Sequence, residues 1–394
     1  MAVESAACVP KVFRAGTHRT VSPTETLARM RPHLPAMGIT RVANVTGLDH
    51  IGIPVFQACR PNARSLSVSQ GKGLDADAAR VSAIMESVEA HHAENMRLPL
   101  AFGSAHEMAR RHAVIDVDGL PQEPGSAFHH QLPLLWVAGE CWLRREPVWV
   151  PYQFVHMNAT PERLPDPRCF VASSNGLASG NHRLEAVSHA LCELVERDAR
   201  HAFEGLAATE QHARRVDLAS IDDADCRSAL ACFARAEMAV AVWDQSSRIG
   251  LPVFECLIVD AVEAATMAQV PARGSGCHPL RAIALLRALT EAAQSRVTMI
   301  AGARDDIRRA HYQRACSRDN LEQLREHVRA PATRAFAAAP SHDLASFDED
   351  LTLALGLLRR AGLEQVAVLD LSLPGIPASV VRVVVPGLGV PQED

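Results

Sequence analysis

Apolar residues return at helical spacing three times along the chain, and each time a short glycine-bearing stretch comes first. After Asp75 they are Val81, Ile84, Met85 and Val88; after His182 they are Val187, Ala190, Leu191, Leu194 and Val195; in RAIALLRALTEAAQSRVTMI they are Leu286, Leu289, Ala293 and Val297. At roughly 100° per residue each set shares one face of a helix turned toward a core. The other faces are polar. Ser82, Glu86 and Glu89 share one; Glu185, His189, Cys192 and Glu196 line the second with Glu193 at its margin; Arg287, Glu291 and Gln294 form the third. The lead-ins SQGKG, SNGLASGN and ARGSGCHPL read as turns, the first offering backbone amides and Lys72 to an anion.

Around these helices the pattern predicts smaller elements. Ser22 as cap and Pro23 in the first turn start a short helix running through Arg31. Strands are expected at Arg41 to Val45, Leu132 to Leu143, Pro147 to Met157, Ala239 to Asp244 and Val253 to Asp260, then at Val366 to Leu371 and Ser379 to Val385, with a helix at Phe347 to Ala361. Residues 101–130 read as a polar connection, and the arginine-rich stretch 303–342 as an exposed helical excursion. No linker divides the chain, so residues 1–394 are expected to form a single domain with its core over 10–390.

With 394 residues, 48% hydrophobic and 22% charged, the chain can bury a large core. A formal net charge of -5 gives no general basic field, so nucleic acid is not an expected partner. The amino terminus lacks a secretory apolar core and no apolar run reaches membrane-spanning length, so a cytoplasmic protein without a membrane partner is expected. The ten cysteines are scattered, with no CxxC, and read as small buried hydrophobes. Neither GxSxG nor HExxH occurs.

The candidate chemistry lies on the polar faces. Arg197 and Arg200 stand four residues after Glu193 and Glu196, so solvated ion pairs account for those two acids as well as a ligand does. Ala90 and Ala93 stand four after Glu86 and Glu89, so that account is weaker there. ExxE or ExxQ recurs at Glu86/Glu89, Glu193/Glu196 and Glu291/Gln294, which suggests convergence. Oxygen ligands of this kind favour Mg2+, which accompanies nucleotide phosphates. The SQGKG segment is not a P-loop, because Leu66 and Gly73 stand where that motif needs glycine and Ser or Thr.

Three phrases, SQGKG followed by SxxxExxE, SNGLASGNxxxEAxxHALxExxERDA, and ALLRALTEAAQSR, together resemble the YcaO family. The resemblance implies an α/β fold with mixed sheets flanked by helices and an ATP site between helices. It also implies a reaction in which ATP phosphorylates a peptide backbone amide oxygen before a nucleophile displaces phosphate. By the same likeness Glu86, Glu89, Glu185, Glu193, Glu196 and Gln294 match the acids and amide that hold Mg2+ and nucleotide. Ser82, Asn181, Arg197 and Arg287 match polar nucleotide contacts, Lys72 belongs to the GKG segment, and Lys11 or Arg19 is the amino-terminal phosphate contact. From the residues alone, a solvated basic surface remains an alternative for Lys11, Arg14 and Arg19.

The tail has PGLGVP in place of PxPxP, and the chain leaves no room for a fused leader-binding domain. KxxRxGTxR, SPxxTL and GITRVAxxTGLDxIGIP look like stand-alone members that work with a TfuA-like partner. For these the resemblance implies a precursor-peptide substrate, a thioamide product and a homodimer. An azoline-forming enzyme with a separate leader-binding protein and a non-catalytic accessory protein are the alternatives.

Overall fold

A computed structural model describes residues 8–160, 167–262, 269–304 and 306–388. Three antiparallel sheets carry the fold. The first contains β1 (Arg41–Asn44), β2 (Val55–Cys59) and β3 (Val68–Lys72) in that order. A six-stranded sheet takes β4 (Leu100–Ser104), β5 (Pro133–Cys141), β6 (Glu146–Pro151) and β7 (Leu177–Gly180), and a third takes β8 (Met238–Asp244), β9 (Val253–Asp260) and β10 (Ala272–Cys277). The last strands, β11 (Ala367–Asp370) and β12 (Ser379–Val384), return to the six-stranded sheet and bring β5 and β7 together in the order β4-β5-β11-β12-β7, with β6 on β5. The helices are α1 (Pro23–Met30), α2 (Ala76–Glu94), α3 (Ala105–Ala109), α4 (Arg183–Glu204), α5 (Ala208–Ala213) and α6 (Ala224–Arg235), followed by α7 (Arg281–Ala301), α8 (Arg309–Ala315), α9 (Arg318–Arg329) and α10 (Phe347–Arg360). The expected α/β class with flanking helices holds, and the strand pairing within the sheets is antiparallel rather than mixed. No helix among the described residues is long and apolar enough to cross a membrane.

Local chemistry starts the long helices where the periodicity places them. The Asp75 side chain accepts from the Ala78 N–H at the start of α2, and His182 accepts from Leu184 N–H at the start of α4. Gly302, at φ 58°, ends α7 in the left-handed conformation that glycine adopts without penalty.

The three glycine-bearing lead-ins are largely strands, which corrects the expectation of turns except at Asn175 and Gly176, where the chain does turn with Gly176 at φ 77°. β3, β7 and β10 each run into the long helix that follows, and their glycines face its backbone. A Cβ on Gly71 would stand 2.0 Å from Ala83 N, and one on Gly274 would stand 2.2 Å from Ala292 N. Glycine is needed here for helix–strand approach, so Gly71 and Lys72 offer no anion-binding turn; Lys72 instead pairs with Val55 in the β2–β3 ladder. Each helix packs on its own strand and on the strand of the next unit, α2 on β7, α4 on β10 and α7 on β3, which closes a ring of three units.

Two further expectations change. Residues 101–130 contain most of β4 and all of α3, whose Ser104–Glu107 capping box was legible locally. The 303–342 stretch is docked as well as exposed: Leu321 and Val328 of α9 join Trp243, Leu257 and Val259 in a core cluster, and His327 stacks on Trp243. The polar and charged residues that fill most of α9 hide the few apolar positions that hold it, and even Arg325 is buried there, donating to Asp260 O.

Candidate functional site

The site lies where α2, α4 and α7 meet, and the same construction is used three times. The first acid of each pair accepts the backbone N–H of its own unit's strand segment: Gln70 N–H donates to Glu86 at 3.1 Å, Gly176 N–H to Glu193 at 3.1 Å, and Ser275 N–H to Glu291 at 3.3 Å. The second acid reaches the next unit. Ser179 donates to Glu89 through its N–H at 2.8 Å and its hydroxyl at 2.7 Å, and the Ser275 hydroxyl donates to Glu196 at 2.8 Å. Lys72 closes the ring by binding Glu291 at 2.5 Å. Arg197 stands 3.9 Å from Glu193 and 3.6 Å from Glu196.

These carboxylates are deep but not sealed, since Glu193, Glu196 and Glu291 keep 23%, 10% and 25% of their side chains exposed. Burial pushes Glu89 up to about 8, with Glu86 and Glu193 adding repulsion, and burial pushes Glu193 up to about 7 against the pull of Arg197. Glu86 and Glu196 are raised for the same first cause. Although burial opposes its charge, Lys72 and Arg197 hold Glu291 below the ordinary carboxylate range.

Glu89 and Glu193 have an ordinary value near 4.5, so the folded chain holds more protons than the unfolded chain between about pH 5 and pH 8, and stability contributed by these groups falls as pH rises through that window. A cation that replaces the protons reverses the loss. The rise in melting temperature on adding Mg2+ is therefore expected to grow from pH 6 to pH 8; thermal shifts equal at both pH values would count against these acids as the ion's ligands.

No group of three or more His, Cys, Asp or Glu side chains among the described residues stands ready-made as a metal cage. Each acid is turned to its own donor. Mg2+ usually takes one or two protein carboxylates and completes its shell from water and phosphate, so this donor set fits that ion. Glu89, Glu193, Glu196, Glu86 and Glu291 are the oxygens that can serve it.

Glu185 belongs to a separate part of the site. It lies eight residues before Glu193 on α4, about 12 Å along the axis at ~1.5 Å per residue, too far to share one ion with it. It accepts from Thr20 N–H at 2.9 Å and the Thr20 hydroxyl at 2.8 Å, with Arg19 Nε 3.7 Å away. Asn181 N–H also points to Glu185 at 3.4 Å, and the Asn181 side chain accepts from the Thr26 hydroxyl.

Arg19 is thereby brought to the site, and Lys11 is not: its ammonium is buried against Asp350 at 2.7 Å and donates to Leu344 O. Arg287 is half-buried and donates to Cys277 O at 2.8 Å. Ser82 lies on the α2 turn that faces Gly71, and Gln294 is half-buried on α7. The prominent residues outside the sequence-derived set are Glu291, Ser179 and Ser275. Glu291 carried a signal, standing three residues before Gln294; the serines carried none, because their role depends on the neighbouring unit.

Comparison with known proteins shows the family. The family model described as YcaO cyclodehydratase, ATP- and Mg2+-binding, matches residues 70–389. An uncharacterized protein in the tfuA 3' region of Rhizobium leguminosarum bv. trifolii is 40% identical over 382 residues, 94% of this chain and 89% of that one. An uncharacterized protein of Methanothermobacter thermautotrophicus is 37% identical, covering 94% and 95%. Among solved structures, YcaO from Methanopyrus kandleri bound with AMPPCP and Mg2+ aligns with TM-score 0.75 and 25% identity over 96% of this chain and 94% of that one. A heterocyclase in complex with substrate and cofactor aligns with TM-score 0.80 and 19% identity, over 98% of this chain and 54% of that one.

Proposed function

The chain belongs to the YcaO family of ATP- and Mg2+-binding cyclodehydratases, and from that premise we propose that it activates a peptide backbone amide by O-phosphorylation and converts it to a thioamide. The observation that carries the reading is the ring of carboxylates from three strand–helix units, with Lys72 and Arg197 against it. Mg2+ held there would supply positive charge to neutralise the phosphates. Glu89, Glu193 and Glu196 would hold the ion, with Glu86 and Glu291 supporting them, while Lys72 and Arg197 would bring positive charge to the phosphates. Gln294, Asn181 and Ser82 are assigned to the nucleotide, and Glu185 keeps Arg19 in place at the far end.

The amide oxygen attacks the terminal phosphorus of ATP and ADP leaves. Sulfide then adds to the activated carbon, the C–O bond breaks, and phosphate departs carrying the original amide oxygen, which leaves sulfur in its place. Sulfide is the nucleophile in this scheme, and Cys277 is unsuited to that role, because burial, together with the contact to Cys192, holds its thiol far above its ordinary value.

The relative from the tfuA 3' region supports a TfuA-like protein as the partner that helps to supply sulfur. The test combines enzyme, candidate peptide, TfuA-like partner, ATP and sulfide. ADP release with exchange of one oxygen for sulfur in the peptide mass is expected. ADP release with loss of water from a Cys, Ser or Thr peptide would instead establish azoline formation.

A further inference from the structure

Beside Arg19 and Glu185, three polar atoms are buried without a hydrogen-bond partner: Thr17 Oγ1, His18 Nδ1 and His189 Nδ1. Buried polar atoms are nearly always paired, so a cluster of exceptions marks a place built for something else to complete. They lie on two segments that Glu185 joins. His189 lies one turn after Glu185 on α4, and Glu185 holds Thr20 and Arg19, so residues 17–20 lie across this part of the helix. His18 is 3% exposed and meets His278 edge-on with centroids 4.9 Å apart. His278 Nδ1 accepts from Leu280 N–H, which fixes its own proton on Nε2.

Burial foremost, with Arg19 and Arg287 near all three rings and Lys11 and Arg14 also near His18, keeps the histidines neutral: His18 is pushed down to about 3, and His189 and His278 well below their ordinary value. A neutral imidazole beside two guanidiniums can donate one N–H without adding charge. Thr17 adds a hydroxyl donor. The recess is partly open, with the Arg19 side chain 28% exposed and the His189 ring half-buried. Donors without carboxylate competitors beyond Glu185, next to two fixed cations, suit a phosphoryl oxygen rather than a metal ion.

Resting on the ATP reading above, we infer that His18 and His189, with Thr17, form a neutral-donor subsite that positions a phosphate of the nucleotide between Arg19 and Arg287. They act as positioning residues, each supplying one hydrogen bond. The experiment is calorimetric titration of AMPPCP with Mg2+ into wild type, His189→Leu, His189→Asn and His18→Leu, without turnover. Both leucine variants are expected to lose about tenfold in affinity, the size of one charge-assisted hydrogen bond. Asparagine keeps a donor nitrogen near the Nδ1 position, so His189→Asn recovers most of it. Thr17→Val reads the same recess should His18→Leu fail to fold. In 15N spectra the His189 Nδ1 resonance is expected to move with AMPPCP and to stay still with adenosine. Unchanged affinity in His189→Leu, an equal loss in His189→Asn, or the same shift with adenosine overturns the subsite. Wild type that fails to bind AMPPCP at all overturns the ATP reading instead, and with it this inference.

Discussion

Glu89→Gln and Glu193→Gln are each expected to reduce ATP turnover by at least about a hundredfold while leaving the protein folded. Glutamine keeps the shape and the acceptor oxygen, so Ser179 still donates to position 89 and Gly176 to position 193. What disappears is the negative charge that a divalent cation needs. The same change relieves a cost, because burial and neighbouring acids disfavour that charge when nothing balances it. The melting temperature without Mg2+ is therefore expected to stay level or rise at pH 8, and the stabilisation by Mg2+ to shrink. ADP release measured beside thermal melts checks both halves. Near-normal turnover in either variant would remove that glutamate from the metal site.

Gly71→Ala and Gly274→Ala are expected to cost about 3–5 kcal/mol each, the range of severe overpacking and backbone displacement. The added methyl at 71 meets Ala83 N at 2.0 Å and Ala79 O at 2.3 Å; at 274 it meets Ala292 N at 2.2 Å and Ala288 O at 2.4 Å. Every one of these is helix backbone, which cannot rotate aside as a side chain would. The helix must lift from its strand and carry Glu86 or Glu291 away from the ring, so ATP turnover falls with stability. Gly47→Ala, with no atom within 4 Å of the added methyl, serves as the control and is expected to change little. Urea unfolding of the three variants decides it: equal midpoints for Gly71→Ala and Gly47→Ala would show that the close approach yields more easily than the geometry implies.

These glycines show where local reading stops. In the sequence they looked like turn residues, since flexibility is what glycine signals within a few positions. Their actual role is the absence of a side chain against a packed helix. Arginine density hid α9 in the same way, because Leu321 and Val328 are sparse among charges and count only once Trp243 lies beneath them. Lys11 illustrates the other failure. Its basic neighbours suggested an anion contact, yet it is satisfied by Asp350, 339 residues away.

The helical faces, their caps and the repeated ExxE and ExxQ spacing were legible from the sequence alone, because α-helix geometry places residues three and four apart on one side whatever surrounds them. The motif phrases also sufficed to identify the family. Which acids share a site was decided only by tertiary structure. Lys72 reaches Glu291 across 219 residues, and Glu89 and Glu196 are held by serines of the next unit. Glu185 is kept apart from Glu193 by two turns of the same helix, and Arg19 rather than Lys11 joins it. Charges that near neighbours and solvent would satisfy in an isolated helix become the proposed cation site because α2, α4 and α7, each packed on the strand of the next unit, bring like charges within reach of one another away from bulk water.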